Sequence, residues 1–197
     1  RADRLIADAP RRRFTLARAG LRRILARYLA TEAHALRFDA GPHGKPYIAG
    51  ADVRFNLSHS GDWALVALAR NREVGIDIER IDASRATLAI AARFFSPHEQ
   101  AALARATDPV AAFFRCWSRK EAVIKALGEG LACPLDSFDV DLDEQQPRLL
   151  ALRRPGADLA MWRLLAIHAA PGYAAAAAII GPHQSVAVAF AFESEDF

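Results

Sequence analysis

The chain has 197 residues, 52% of them hydrophobic and 25% charged, a mixture that excludes a disordered polyelectrolyte and suits one domain or two small ones around a buried core. A net charge of +3 and a pI of about 9.2 favour anionic partners without naming one. No apolar run reaches the about 20 residues that span a bilayer, no secretory leader pattern opens the chain, and Cys116 and Cys133 make neither a metal spacing nor a disulfide framework, so a reducing cytoplasm is expected.

In chain order, arginines crowd the first thirty residues: Arg1, Arg4, Arg11, Arg12, Arg13, Arg18, Arg22, Arg23 and Arg27. Leu21, Ile24, Leu25, Tyr28 and Leu29 recur at helical spacing among them and predict a helix from Arg12 to about Leu29. Gly41 to Pro46 reads as a turn-rich loop, and Val53 to Asn56 as a short strand leading into a loop, Ser58-His59-Ser60-Gly61-Asp62. Trp63–Ala69 and Val74–Glu79 read as an antiparallel pair joined by an Asn71-Arg72 hairpin turn. Ala86–Phe94 has a helical pattern. Ser96-Pro97-His98-Glu99 opens another helix with a capping box, Ser at N-cap and Glu at N3. Asp108-Pro109 opens a third, expected to run to Leu127 and stop at Gly128. Phe138–Leu142, Trp162–His168, Tyr173–Ile180 and Val186–Phe192 read as strands, and Glu193, Glu195 and Asp196 make an acidic tail. The order of elements implies an α+β fold with antiparallel sheet rather than a doubly wound parallel one.

Four segments could carry chemistry. In Gly75-Ile76-Asp77-Ile78-Glu79 the two carboxylates lie at i and i+2 and share one strand face. Side by side they repel unless a proton or cation lies between them, and a hard divalent ion with oxygen ligands answers that need. The alternative is a solvated edge strand with Arg80 as counter-ion. In Trp117-Ser118-Arg119-Lys120-Glu121-Ala122-Val123-Ile124-Lys125, Trp117, Glu121 and Lys125 share a helix face. Glu121 could be a third metal ligand, with Lys120 and Lys125 against phosphate oxygens; equally, an i, i+4 Glu–Lys pair is often a surface stabiliser worth about 0.2–0.5 kcal/mol. Phe55-Asn56-Leu57-Ser58-His59-Ser60 offers hydroxyls, N–H groups and an imidazole to an anion, or is a plain turn in which His59 packs or caps. It lacks the Gly-x-Ser-x-Gly of a nucleophile elbow. Gly44-Lys45-Pro46 holds a lysine in a stiff loop that could meet a phosphate or be turn chemistry alone, and it has no Walker A spacing.

The ordered string Gly-Lys-Pro, Phe-Asn-Leu-Ser-His-Ser, Gly-Ile-Asp-Ile-Glu and Trp-Ser-x-Lys-Glu-Ala-x-x-Lys resembles the Sfp-type 4′-phosphopantetheinyl transferases. Arg93-Phe94-Phe95-Ser96, with Glu99 following, and the stretch from Gly130-Leu131 to Phe138 add to the likeness, which covers nearly the whole chain. The resemblance implies two similar α+β halves forming a pseudo-dimer, with halves expected at 1–77 and 78–197 and an active-site cleft between them. It implies transfer of the phosphopantetheine arm of coenzyme A to a serine of an apo acyl, polyketide or peptidyl carrier protein, with release of 3′,5′-ADP.

Carried onto this sequence, the resemblance makes Asp77, Glu79 and Glu121 ligands of magnesium or manganese. Lys120 and Lys125 become charge neutralisers, with Lys125 and Glu121 catalytic. Arg13, Lys45, Ser58 and His59 become the grip on the nucleotide end. Glu121 or a metal-bound water is the candidate base. Glu99 is read as a capping residue rather than a site residue, because that role also explains Ser96 and Pro97. Relatives carry a further N-terminal segment, so the first strand of the N-terminal half is expected to be missing here. A cytoplasmic monomer, with no nucleic acid or membrane as partner, is expected. The competing classes are a basic nucleic-acid module, which the acid pair opposes, a magnesium phosphohydrolase, and a degenerate transferase that only binds coenzyme A.

Overall fold

The computed structural model describes residues 8–182 and 187–193. Helix α1 (Asp8–Tyr28) is followed by a two-stranded ribbon, β1 (Asp39–Ala40) and β2 (Pro46–Tyr47). Three long strands come next: β3 (Val53–Ser60), β4 (Trp63–Arg70) and β5 (Glu73–Arg80). Helices α2 (Leu88–Phe94), α3 (Pro97–Ala104) and α4 (Pro109–Leu127) then lead to β6 (Phe138–Val140), β7 (Leu149–Leu152), β8 (Trp162–Ala166), β9 (Tyr173–Ile180) and β10 (Ala187–Glu193). Arg1, Arg4, Glu195 and Asp196 lie outside the described residues.

The strands form two antiparallel three-stranded sheets, ordered β10-β4-β3 and β5-β9-β8, with β6 and β7 as a separate pair. Alternation of side chains builds three apolar layers. Val53 and Phe55 of β3, with Ala64, Val66 and Leu68 of β4, meet Ala17, Leu21 and Leu25 of α1. The other face of β4 (Leu65, Ala67, Ala69) packs on Val74, Ile76 and Ile78 of β5 and on Ala175, Ala177 and Ile179 of β9. Ala174, Ala176 and Ala178, the reverse face of β9, cover α4. The molecule is therefore helix, sheet, sheet, helix, and the expected α+β fold with antiparallel sheets and packed helices is what the chain adopts.

Three local expectations change. The Ser58-His59-Ser60 segment is not a loop: β3 runs to Ser60 and turns only at Gly61-Asp62. The anticipated β4–β5 hairpin does not form, because β4 takes β3 and β10 as neighbours and β5 takes β9. β3 competes successfully for β4 because a two-residue turn joins them and their apolar faces both serve α1. A division at residue 77 would cut the continuous strand β5; the sheets separate between β4 and β5, and β10 returns to the first sheet. No helix among the described residues is long and apolar enough to cross a membrane.

Helix ends follow the sequence closely. Ser96 accepts from Glu99 N while Glu99 accepts from Ser96 N, so the capping box is complete. Asp108 caps α4 at Ala111 N, and Gly128 ends it with φ at 75°, a left-handed conformation that favours glycine.

Candidate active site

The site forms where α4 lies on β5. Gly75 makes this approach available: a Cβ there would collide with the Ala122 carbonyl and the Ala126 amide. Because Gly75, Asp77 and Glu79 share a face, the strand that admits the helix at Gly75 presents its carboxylates to the same helix. Lys125 of α4 donates from Nζ to Asp77 Oδ1 at 2.5 Å and to Ser58 Oγ at 3.2 Å. Ser58 Oγ also donates to Asp77 Oδ1 at 2.9 Å. Asp77 is 3% exposed, and its Oδ2 is buried with no hydrogen-bond partner among the described residues. Glu79 Oε2 accepts from Ser60 Oγ at 3.2 Å and from Arg85 at 3.4 Å.

Burial, then the charge of Asp77, raises the Glu79 carboxyl above its ordinary value, against Arg85 and the Ser60 hydroxyl. Burial raises Glu121 as well; Lys125 opposes this, while Asp77 and Glu79 add to it. Three half-buried or buried carboxylates thus sense one another around a single ammonium. Among the described residues no three carboxylate, imidazole or thiol groups already stand at metal-holding spacing. The donor chemistry nevertheless fits a hard divalent cation. All donors are carboxylate oxygens, one is buried and unpartnered, and the mutual repulsion falls when positive charge arrives.

His59 points to the opposite side of β3 from Ser58 and is exposed. Although its surface is open, partial loss of solvent around the ring and then the Lys125 charge hold its imidazole below the usual value. It shares a crevice beside α1 with Arg13, whose guanidinium binds Asp62 Oδ1 at 2.7 Å. The structure therefore brings together Asp77, Glu79, Glu121, Lys125 and Ser58, and separately Arg13 and His59.

Two predicted contacts are corrected. Lys120 is 0% exposed; its Nζ donates to Glu99 Oε1 at 2.6 Å and to the Phe138 carbonyl at 2.9 Å, and it sits over the Phe138 ring. It serves the core rather than a phosphate. The signal was present in the sequence: Lys120 shares its helix stripe with Cys116, Val123 and Ile124, whereas Glu121 shares its own with Trp117 and Lys125. Lys45 donates to Glu73 Oε2 at 2.6 Å and to the Ala126 carbonyl at 3.0 Å, closing the last turn of α4. Burial lowers its pKa, with the Glu73 bond opposing. Asn56, Ser60 and Arg85 join the site only in the folded chain; the polar alternation Asn56, Ser58, Ser60 is the sequence signal for the first two, once β3 is a strand throughout.

A family model described as the 4′-phosphopantetheinyl transferase superfamily matches residues 73–178, from β5 to β9. The chain belongs to this superfamily. It is 38% identical over 156 residues to the 4′-phosphopantetheinyl transferase HetI of a Nostoc species, covering 76% of this chain and 65% of that protein. Against the 4′-phosphopantetheinyl transferase Sfp of Bacillus subtilis it is 39% identical over 127 residues, 63% of this chain and 55% of the relative. Against the 4′-phosphopantetheinyl transferase AcpT of Salmonella typhimurium it is 38% identical, 71% of this chain and 72% of the relative. The chain spans 52–65% of the length of the first three curated relatives it matches. A solved holo-[acyl-carrier-protein] synthase from Thermotoga maritima aligns with a TM-score of 0.45 at 20% identity, over 56% of this chain and 64% of that one, a likeness too distant to carry weight.

Proposed function

We propose that this superfamily member transfers the 4′-phosphopantetheine arm of coenzyme A to a serine of an apo carrier protein, releasing 3′,5′-ADP. The observation that carries the reading is the acid pair of buried Asp77 and half-buried Glu79 facing Glu121 and Lys125 across the β5–α4 contact, with Asp77 Oδ2 unpartnered among the described residues.

In this reading Asp77, Glu79 and Glu121 hold a magnesium ion. The ion supplies charge neutralisation for the pyrophosphate of coenzyme A and for the leaving group. Lys125 is anchored by Asp77 and Ser58, so its ammonium is directed without needing to reorganise, and it offers a further charge to a phosphate oxygen. In this reading Glu121 is the candidate base for the proton of the attacking carrier serine. Arg13 and His59, which border one shallow crevice beside α1, meet the nucleotide end in this reading. The Arg13–Asp62 pair is exposed on both sides and is therefore weak, so exchanging Asp62 for a phosphate is inexpensive. Lys45 and Lys120 are left out, since core and helix-end contacts use their ammonium groups. The two free cysteines are buried, in keeping with work in a reducing cytoplasm, and the reading takes the protein as a monomer.

The test is mass spectrometry of an apo carrier protein incubated with the full-length protein, coenzyme A and magnesium. A gain of one phosphopantetheine arm is expected, abolished by chelator. No gain on any of several acyl, polyketide and peptidyl carriers would overturn the reading.

A further inference from the structure

β3 and β5 are edge strands of different sheets, and their backbones make no ladder with each other. Open edges are normally covered or blunted. Here they are joined by side chains. Asn56 Oδ1 accepts from Ile76 N at 2.9 Å, Ser58 Oγ from Ile78 N at 3.3 Å and Ser60 Oγ from Arg80 N at 3.0 Å. The acceptors advance by two residues on β3 while their donors advance by two on β5, so the strands run parallel along this seam. Three side chains of one face take the place of three backbone carbonyls.

The two serines do a second thing with the same oxygen. Ser58 Oγ accepts from Ile78 N and donates to Asp77 Oδ1; Ser60 Oγ accepts from Arg80 N and donates to Glu79 Oε2. A hydroxyl has one hydrogen to donate and lone pairs to accept, so each serine can hold an acid and the amide that follows it at once. Ser58 also accepts from Lys125 Nζ, which fills its remaining capacity. Asn56 holds the amide just before Asp77. A slip of β5 by one residue would turn both acids into the apolar layer shared with β4 and β9.

We infer that Asn56, Ser58 and Ser60 form a positioning comb that fixes the register and carboxylate orientation of Asp77 and Glu79. The inference rests on reading those acids as cation ligands. Asn56 and Ser60 act on the site only through β5 and Glu79, and are positioning rather than catalytic residues.

The experiment uses the full-length protein and two readouts that need no turnover: amide hydrogen exchange at Ile76, Ile78 and Arg80, and Mn2+ binding followed by electron paramagnetic resonance. Ser60→Ala is expected to lose protection at Arg80 and to weaken Mn2+ binding about tenfold, the scale on which groups that orient a metal ligand act. Ser60→Thr, which keeps the hydroxyl, is expected to restore both. Asn56→Ala is expected to lose protection at Ile76 and to weaken Mn2+ as well. Asp77→Ala is the control on the site itself. If wild-type protein binds no Mn2+ that Asp77→Ala removes, the cation reading fails and the comb's purpose with it. If that control behaves and Ser60→Ala leaves either Arg80 exchange or Mn2+ affinity unchanged, the comb is overturned while the site reading stands.

Discussion

Helix α4 carries two lysine–carboxylate pairs five residues apart, and they have opposite fates. Lys120 and Glu99 are both fully buried. Their network is closed: Glu99 accepts from Lys120, Val140 N and Ser96 N, and Lys120 donates to Glu99 and the Phe138 carbonyl. Lys125 and Asp77 form the same kind of pair at 2.5 Å, but the lysine is 27% exposed and Asp77 keeps an oxygen without a partner among the described residues. Two more carboxylates crowd the second pair. What separates the core pair from the candidate catalytic one here is whether its hydrogen bonds close, not which residues compose it.

The comparison can be broken most forcefully at the closed pair. Lys120→Ala leaves Glu99 as a buried, uncompensated charge and is expected to cost about 3–5 kcal/mol, read by denaturant unfolding. Glu99→Leu combined with Lys120→Met removes both charges but leaves Ser96 N, Val140 N and the Phe138 carbonyl short of a partner, at about 1–3 kcal/mol each when buried, so it is expected to be no more stable than Lys120→Ala. Recovery to near wild-type stability in the double variant would show that the uncompensated charge, and not the closed hydrogen-bond network, sets the cost.

At the open pair the effects should fall on turnover. Lys125→Ala is expected to lower kcat by about 100-fold, on the scale of removing one preorganised charge or donor, while changing stability by only about 1 kcal/mol. If unfolding midpoints drop as far as for Lys120→Ala, the contrast between the pairs is wrong.

An acid titration sharpens the closed side. Burial works against ionisation of Asp139, but hydrogen bonds from Arg153 and Ser96 and the charges of Arg153 and Lys120 outweigh it and hold the carboxyl below its usual range. The unfolded chain therefore takes up a proton at higher pH than the folded one. The Asp139 contribution is complete above the unfolded value, about 3.9, and is lost as pH falls through the lower folded value. Arg153→Ala should flatten that acid limb of a stability-against-pH curve; an unchanged limb would remove Asp139 from the account. The smallest effect is expected at Arg13→Ala, with less than about 1 kcal/mol of stability lost and a raised KM for coenzyme A at near-constant kcat.

Much of this was legible in the residues. Ser96, Glu99, Asp108 and Gly128 specify helix ends through contacts within a few positions, so local chemistry decides them. Asp77 and Glu79 share a face because a strand has period two, and Glu121 and Lys125 because a helix has 3.6 residues per turn. The ordered motif string was enough for the family.

Other features needed the folded chain. Sequence proximity favoured a β4–β5 hairpin, but strand partners are chosen by which faces must be covered, and α1 required β3 and β4 together. Ser58-His59-Ser60 resembles a loop by composition, and only the open edge of β5 gives those hydroxyls amides to bind. Lys120 and Lys125 are alike in the sequence and about 140° apart around the helix axis. The residues fix that angle, but what waits at each end of it, a glutamate in a closed core or an aspartate in an open cleft, comes from elements 21 and 48 positions away, and only tertiary packing brings them there.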